Sequence, residues 1–335
     1  MNDRLKHPGV WLSLIGIAHL PFVVLYFTRL WNIEHYQFFP FALGAFVWLV
    51  NTRRIKGLLL WKPASSVYLA VDLCFLAGGV YLYSPWLVCV GGLFLCLSIC
   101  LALQDYEFDS SLAYLALLPV ITLRLPLQMD TQVIQWLQSV TTRVASVVLN
   151  HFGYLHLRAG NVLEFPGKRF MVEEACSGVQ SLFTLLFLAA LIACGYRRKW
   201  LHTILVLASA ICFAGLMNVL RVSTVSMAWF SYGIDISTGW QHDMIGYVAL
   251  VIAAMLVFST DGFLNLVCSP VPDEPSIGRS GMFWNPLTTV WNWVFLVRNR
   301  MEEPSVETSS RHHPIVSMIA GAICVVSVAA QLLKV

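Results

Sequence analysis

Nine apolar runs, each about as long as a membrane is thick, constrain this chain more than any other feature. A hydrocarbon core of about 30 Å is crossed by roughly 20 helical residues, and backbone amides in lipid must be paired within their own segment, so such runs fold as helices. They lie near 10 to 28, 36 to 50, 65 to 83, 86 to 103, 111 to 128, 177 to 195, 201 to 220, 244 to 260 and 315 to 333. The predicted fold class is therefore all-α, a polytopic helical membrane bundle of about nine transmembrane helices. Composition agrees, since 58% of the residues are hydrophobic and only 12% are charged, which excludes an ordinary soluble domain. At the amino terminus Arg4 and Lys6 precede a run from Val10 to Phe27 in the manner of a secretory signal. The run is long, no small-residue cleavage site follows, and Arg29 comes directly after, so it is expected to be kept as a first membrane helix.

Charge and cysteine usage narrow the function classes. A net charge of +3, with the basic residues in short clusters between apolar runs, leaves no footprint for nucleic acid. Of the nine cysteines, Cys74, Cys89, Cys96, Cys100, Cys194, Cys212 and Cys324 sit inside apolar stretches without CxxC pairing, which argues against a disulfide framework and a zinc site. No metal or other cofactor is expected. The basic clusters report orientation instead, because lysine and arginine in short loops resist translocation. Arg53, Arg54 and Lys56 follow the second run and Arg197, Arg198 and Lys199 follow the sixth, so both loops become cytoplasmic if the amino terminus is inside. Residues 29 to 35, Ser84-Pro85, 129 to 176 and 229 to 243 then face the periplasm or cell exterior, which places the chain in the cytoplasmic (inner) membrane as a multi-pass protein.

Five regions result: membrane helices over 1–128, an external segment over 129–176, further membrane helices over 177–260, a cytoplasmic connector over 261–313 and a last helix over 314–335. From Met129 to Gly153 apolar residues recur at helical spacing (Val133, Ile134, Leu137, Val140, Val144, Val147, Val148), which predicts an amphipathic helix on the outer membrane surface or capping the bundle. Between Tyr154 and Val172, Gly160, Pro166 and Gly167 interrupt short alternating pieces and predict a small hairpin.

Three reactive polar residues are expected at the outer ends of successive late spans: Cys176 opens the sixth, Arg221 closes the seventh and His242 precedes the eighth. Two helical hairpins bring those ends to one level of the membrane. A free thiol, with a pKa of about 8.5, needs a base or a positive field to become nucleophilic. Cys176 sits at a helix start, where unpaired amides favour an anion, beside Ser177 and Gly178, with Glu173 and Glu174 before it. The plainer reading is one more small packing residue, as for most cysteines here. Arg221 follows Asn218 by one turn on the same face and either holds an oxyanion, pairs with Glu173 or Glu174 to close the bundle, or snorkels to the interface. His242, with Gly246 one turn later giving room above it, has the chemistry to take a thiol proton and return it to a leaving amine.

At these residues the chain resembles the exosortase and archaeosortase family of membrane transpeptidases. The shared pattern is a cysteine followed by small residues at a helix start, Glu174-Ala-Cys176-Ser-Gly178 with Ser181, then Asn218-Val-Leu-Arg221, then His242-Asp-Met-Ile-Gly246, over about residues 124 to 260. The resemblance implies that Cys176 attacks a peptide bond near the carboxy-terminal sorting helix of an exported protein. A thioester forms that a second nucleophile resolves, with a lipid or exopolysaccharide acceptor among the candidates. It also implies that Arg221 stabilises the intermediate and His242 acts as acid and base, with Glu173, Glu174, Ser177, Gly178 and Asn218 supporting. The stretch after 260 goes beyond the compact core expected of that family. Two other classes stay open: a transporter using Asp72 and other intramembrane polar groups, and a scaffold for envelope or polysaccharide assembly using the late connector. Asp72 is either a hydrogen-bonded packing residue or part of an ion path. Arg124 joins the external cluster or snorkels, and His151 and His156 fit no metal-ligand spacing.

Overall fold

Long apolar sequence becomes helix almost throughout. The computed structural model describes residues 8–53, 63–103, 112–171 and 179–268. In chain order the helices are α1 (Pro8–Trp31), α2 (Phe39–Arg53), α3 (Pro63–Tyr81), α4 (Pro85–Leu103), α5 (Leu117–Ile121), α6 (Met129–His151), α7 (Val179–Gly195), α8 (Trp200–Tyr232) and α9 (Trp240–Val267). Five of them, α1, α3, α4, α8 and α9, are long and apolar enough to cross a membrane. Of the about nine spans expected, these five are carried at full length by the described residues. α2, with 15 residues, and α7, with 17, extend about 22 and 26 Å, short of the hydrocarbon thickness. The ninth run lies outside the described residues. The fifth, 111 to 128, is no single helix: a 3-10 turn (Ala113–Ala116) leads into the five residues of α5, and a second 3-10 turn at Pro126–Gln128 follows. Pro126 has no amide hydrogen to continue a helix, and Leu127 turns to a left-handed φ of 55°.

The chain divides into two compact units at Val133/Ile134, within α6. In the first unit, α4 packs on α1 and α3. Asp72 of α3 is fully buried, and its Oδ1 lies 2.9 Å from His19 Nε2 on α1. His19 Nδ1 donates to the Ile15 carbonyl at 2.8 Å, so a single proton occupies the His19–Asp72 gap and the pair is neutral overall whichever atom holds it. Gly91 lets α4 approach, since a Cβ there would lie 3.0 Å from Asp72 Oδ1. Asp72 is thus a hydrogen-bonded buried residue. Arg124 is held locally: its Nε meets Asp130 Oδ2 at 2.6 Å and its amide donates to the Tyr26 hydroxyl at 2.7 Å.

The second unit has two cores. One is formed by α7, α8 and α9 with Ile134 and Leu137 of α6, around Leu185, Ile192, Val206, Ala210, Ala253 and Val257. The other joins Ala145 and Leu149 of α6 to Leu163, Phe165 and Phe170 and to Val219, Val222 and Val225 of α8. Those aromatic residues belong to a three-stranded antiparallel sheet, β1 (Leu157–Ala159), β2 (Val162–Phe165) and β3 (Lys168–Met171), paired in that order. The expected hairpin therefore has a third strand. Its turns are two residues long, with Gly160 at φ 62° in the first and Pro166-Gly167, Gly167 at φ 81°, in the second, conformations that glycine adopts without strain.

α8 corrects a second expectation. It was predicted to close at Arg221, yet it runs on to Tyr232 and ends at Gly233 in the left-handed conformation. The polar residues after Arg221 do not end the helix, because Val222 and Val225 pack in a core with α6 and the sheet. α9 likewise starts at Trp240, after Gly239 at φ 78°, so His242 lies in its first turn rather than before it.

Candidate active site

Two helices carry the described part of the site. Trp200 and Arg221 are 21 residues apart on α8, an axial rise of about 32 Å. His242 and Asp261 are 19 apart on α9, about 29 Å. Polar clusters thus mark both ends of the α8–α9 pair, separated by about one hydrocarbon thickness. At one end Arg198 grips Asp261 with two prongs, Nε to Oδ1 at 2.9 Å and Nη2 to Oδ2 at 2.6 Å, while His202 Nε2 reaches Oδ1 at 2.8 Å. At the other end are Arg221 and His242.

Arg221 Nη2 lies 3.2 Å from His242 Nδ1 and 3.1 Å from Nε2, so the guanidinium rests against the imidazole ring within reach of both nitrogens. A guanidinium only donates, so the nitrogen that accepts is the unprotonated one, the form of histidine able to take up a proton. The imidazole is buried, 7% exposed. Asp243 Oδ1 is 3.5 Å from His242 Nδ1, on the exposed side. Gly246 makes the arrangement possible: a Cβ there would come within 3.0 Å of Arg221 Cζ and 3.1 Å of Nη2. The room that this glycine supplies is for the guanidinium beside the histidine.

Asn218, predicted on the Arg221 face, is buried and its Nδ2 donates to Thr141 Oγ1 on α6 at 3.1 Å. A narrow cavity of about 10 Å³, enough for one water, lies between α7, α8 and α9. Ser181, Asn218, Arg221 and Gly246 line it with small apolar residues such as Ala214 and Ala253. Of the predicted residues, Arg221, His242 and Asn218 are therefore brought together, and Ser181 joins them. Cys176, Glu173, Glu174, Ser177 and Gly178 lie outside the described residues. Cys176 precedes the first residue of α7 by three positions. His156 is taken up structurally, 2.7 Å from Ser146 Oγ and 2.8 Å from the Tyr154 carbonyl.

Thr141 and Asp243 escaped the sequence reading. Thr141 was detectable as a hydroxyl on the otherwise apolar face of α6 formed by Leu137 and Ala145, although nothing in its spacing names Asn218 as its partner. A family model described as transmembrane exosortase matches residues 30–259, well over half of the chain and inclusive of Cys176, Ser181, Asn218, Arg221, His242 and Gly246. No curated protein and no solved structure matches the chain.

Proposed function

Because the chain belongs to the transmembrane exosortase family, we propose that it is a membrane-embedded cysteine transpeptidase in which Cys176 is the nucleophile, His242 the acid and base, and Arg221 the stabiliser of the tetrahedral oxyanion. The observation that carries this reading is the contact between Arg221 and His242. Two groups 21 residues apart, each costly to hold near lipid, meet through a direct hydrogen bond where α8 and α9 face α7. The chain enters α7 from Cys176, and Ser181 of that helix borders the same cavity.

The chemistry runs in two balanced halves. His242 takes the thiol proton; Sγ attacks the scissile carbonyl carbon; Arg221 offsets the charge on its oxygen. The C–N bond then breaks, the amine leaves with the proton from His242, and a thioester remains. A second nucleophile, supplied by a lipid or glycan acceptor or by water, gives its proton to His242 and attacks the thioester carbon. The C–S bond breaks and the proton returns to sulfur. The substrate on this reading is the carboxy-terminal sorting segment of an exported protein. The basic loops at 53 to 56 and 197 to 199 favour a site on the periplasmic or outer face of the cytoplasmic membrane.

The test is processing of a tagged sorting-signal substrate in cells or vesicles. Cys176→Ala is expected to abolish cleavage while the protein stays inserted and abundant, and Cys176→Ser to do the same. Full cleavage by Cys176→Ala would end the nucleophile assignment.

A further inference from the structure

The last element before Cys176 in the chain is β3, and the last segment before His242 is the α8–α9 turn, residues 233–239. These two approaches to the site are bonded to each other. Lys168, the first residue of β3, pairs through Nζ with Asp235 Oδ2 and donates to Ser237 Oγ at 3.3 Å. Asp235 Oδ1 accepts from the Ser237 amide at 3.1 Å and from its hydroxyl at 2.6 Å. The ammonium also stands 5.1 Å from the ring centroids of both Phe170 on β3 and Trp229 on α8. Each partner follows closely on a glycine with left-handed φ, Gly167 at 81° and Gly233 at 66°, so the backbone direction is set at both ends.

We propose that Lys168 and Asp235 are positioning residues for the reaction: their pairing fixes the strand that leads to Cys176 against the turn that leads to His242. An isolated surface ion pair contributes little, and this one is partly exposed. Its worth lies in geometry. A lysine held by a carboxylate, a hydroxyl and two aromatic rings has few alternative rotamers, and the two segments it joins are those that run on in sequence to Cys176 and to His242. This inference rests on the catalytic reading above and adds to it residues that touch no reacting atom.

The experiment uses the full-length protein in vesicles with a tagged sorting-signal substrate. Lys168→Met and Asp235→Asn are each expected to lower kcat by about 10- to 100-fold with KM little changed, the signature of a displaced catalytic group. Lys168→Arg keeps the charge and is expected to restore most of the rate. The exchanged double variant, Lys168→Asp with Asp235→Lys, is expected to recover part of what either single charge reversal loses. A second readout is independent of processing: the rate at which Cys176 is alkylated by an impermeant thiol reagent, read on its labelled peptide, falls with kcat. Wild-type kcat and alkylation rate in both neutral variants, or a loss that only tracks the amount of folded protein, would overturn the proposal. If Cys176→Ala still cleaves, the catalytic reading fails by itself. If Cys176→Ala is dead and the Lys168 variants are normal, only the latch fails.

Discussion

The two ends of the α8–α9 pair use the same residue types for different ends. Where α8 begins and α9 finishes, Arg198 and His202 close on the carboxylate of Asp261, which is 4% exposed, and Asn265 accepts a further bond from Arg198 Nη1 at 2.6 Å. Where α8 leaves the apolar layer and α9 enters it, Arg221 lies against a neutral ring. A guanidinium clamped by a carboxylate has its charge compensated and its orientation fixed, which suits a staple. A guanidinium beside an imidazole sets a positive charge next to a group that can carry a proton, which suits chemistry.

Substitution at the two ends should separate these roles. His242→Ala is expected to cost about 10²- to 10⁴-fold in kcat and Arg221→Ala about 10²- to 10³-fold, with both proteins melting like the wild type in detergent. A melting loss that matched the activity loss would erase the contrast. Asp261→Ala should do the opposite, destabilising by about 3 kcal/mol because Arg198 and His202 lose their shared carboxylate, while the surviving folded fraction cleaves normally. A thermal denaturation series normalised to folded protein reads both quantities. Gly246→Ala sharpens the comparison further. The nearest atoms to the new methyl group are those at the end of the flexible Arg221 side chain, so stability should hold while kcat drops about tenfold as the guanidinium moves aside.

The smallest effect concerns pH. Asp235 is held down to about 2 by the Lys168 ammonium and then by Ser237. A carboxyl whose folded pKa is depressed stabilises above its ordinary value of about 3.9, and that contribution is lost as pH falls from there through the folded value. Because the pair is partly exposed, the gain is at most about 1 kcal/mol. Comparing unfolding of wild type and Asp235→Asn at pH 7 and pH 2.5 should show a difference at the higher pH that shrinks at the lower. An equal difference at both would mean that the pair is not electrostatic.

Much of this was legible in residue order, for a simple reason: lipid leaves few choices. The runs behind α1, α3, α4, α8 and α9 announced themselves by length and apolarity alone. What hydropathy did not report was where packing takes over from lipid. Residues 221–232 look like an exit loop, with Arg221, Ser223, Thr224 and Ser226 in succession, and become helix only because α6 and the sheet supply an alternative cover. The 111–128 run shows the reverse, apolar throughout yet broken at Pro126 and Leu127. At the site, Asn218, Arg221 and Gly246 were readable from one-turn spacings within single helices. Thr141 against Asn218, and His19 against Asp72, are separated by 77 and 53 residues, and no local pattern encodes a partner at that distance.

The length of α8 sets a measure for what the site can read. Its 33 residues extend about 50 Å, and the 11 steps from Arg221 to Tyr232 account for about 16 Å of that, all on the side of the sheet. An extended polypeptide advances about 3.3 Å per residue. A polypeptide lying extended along that 16 Å would match it with about five residues, so a partner of this face is measured in a handful of side chains rather than a domain.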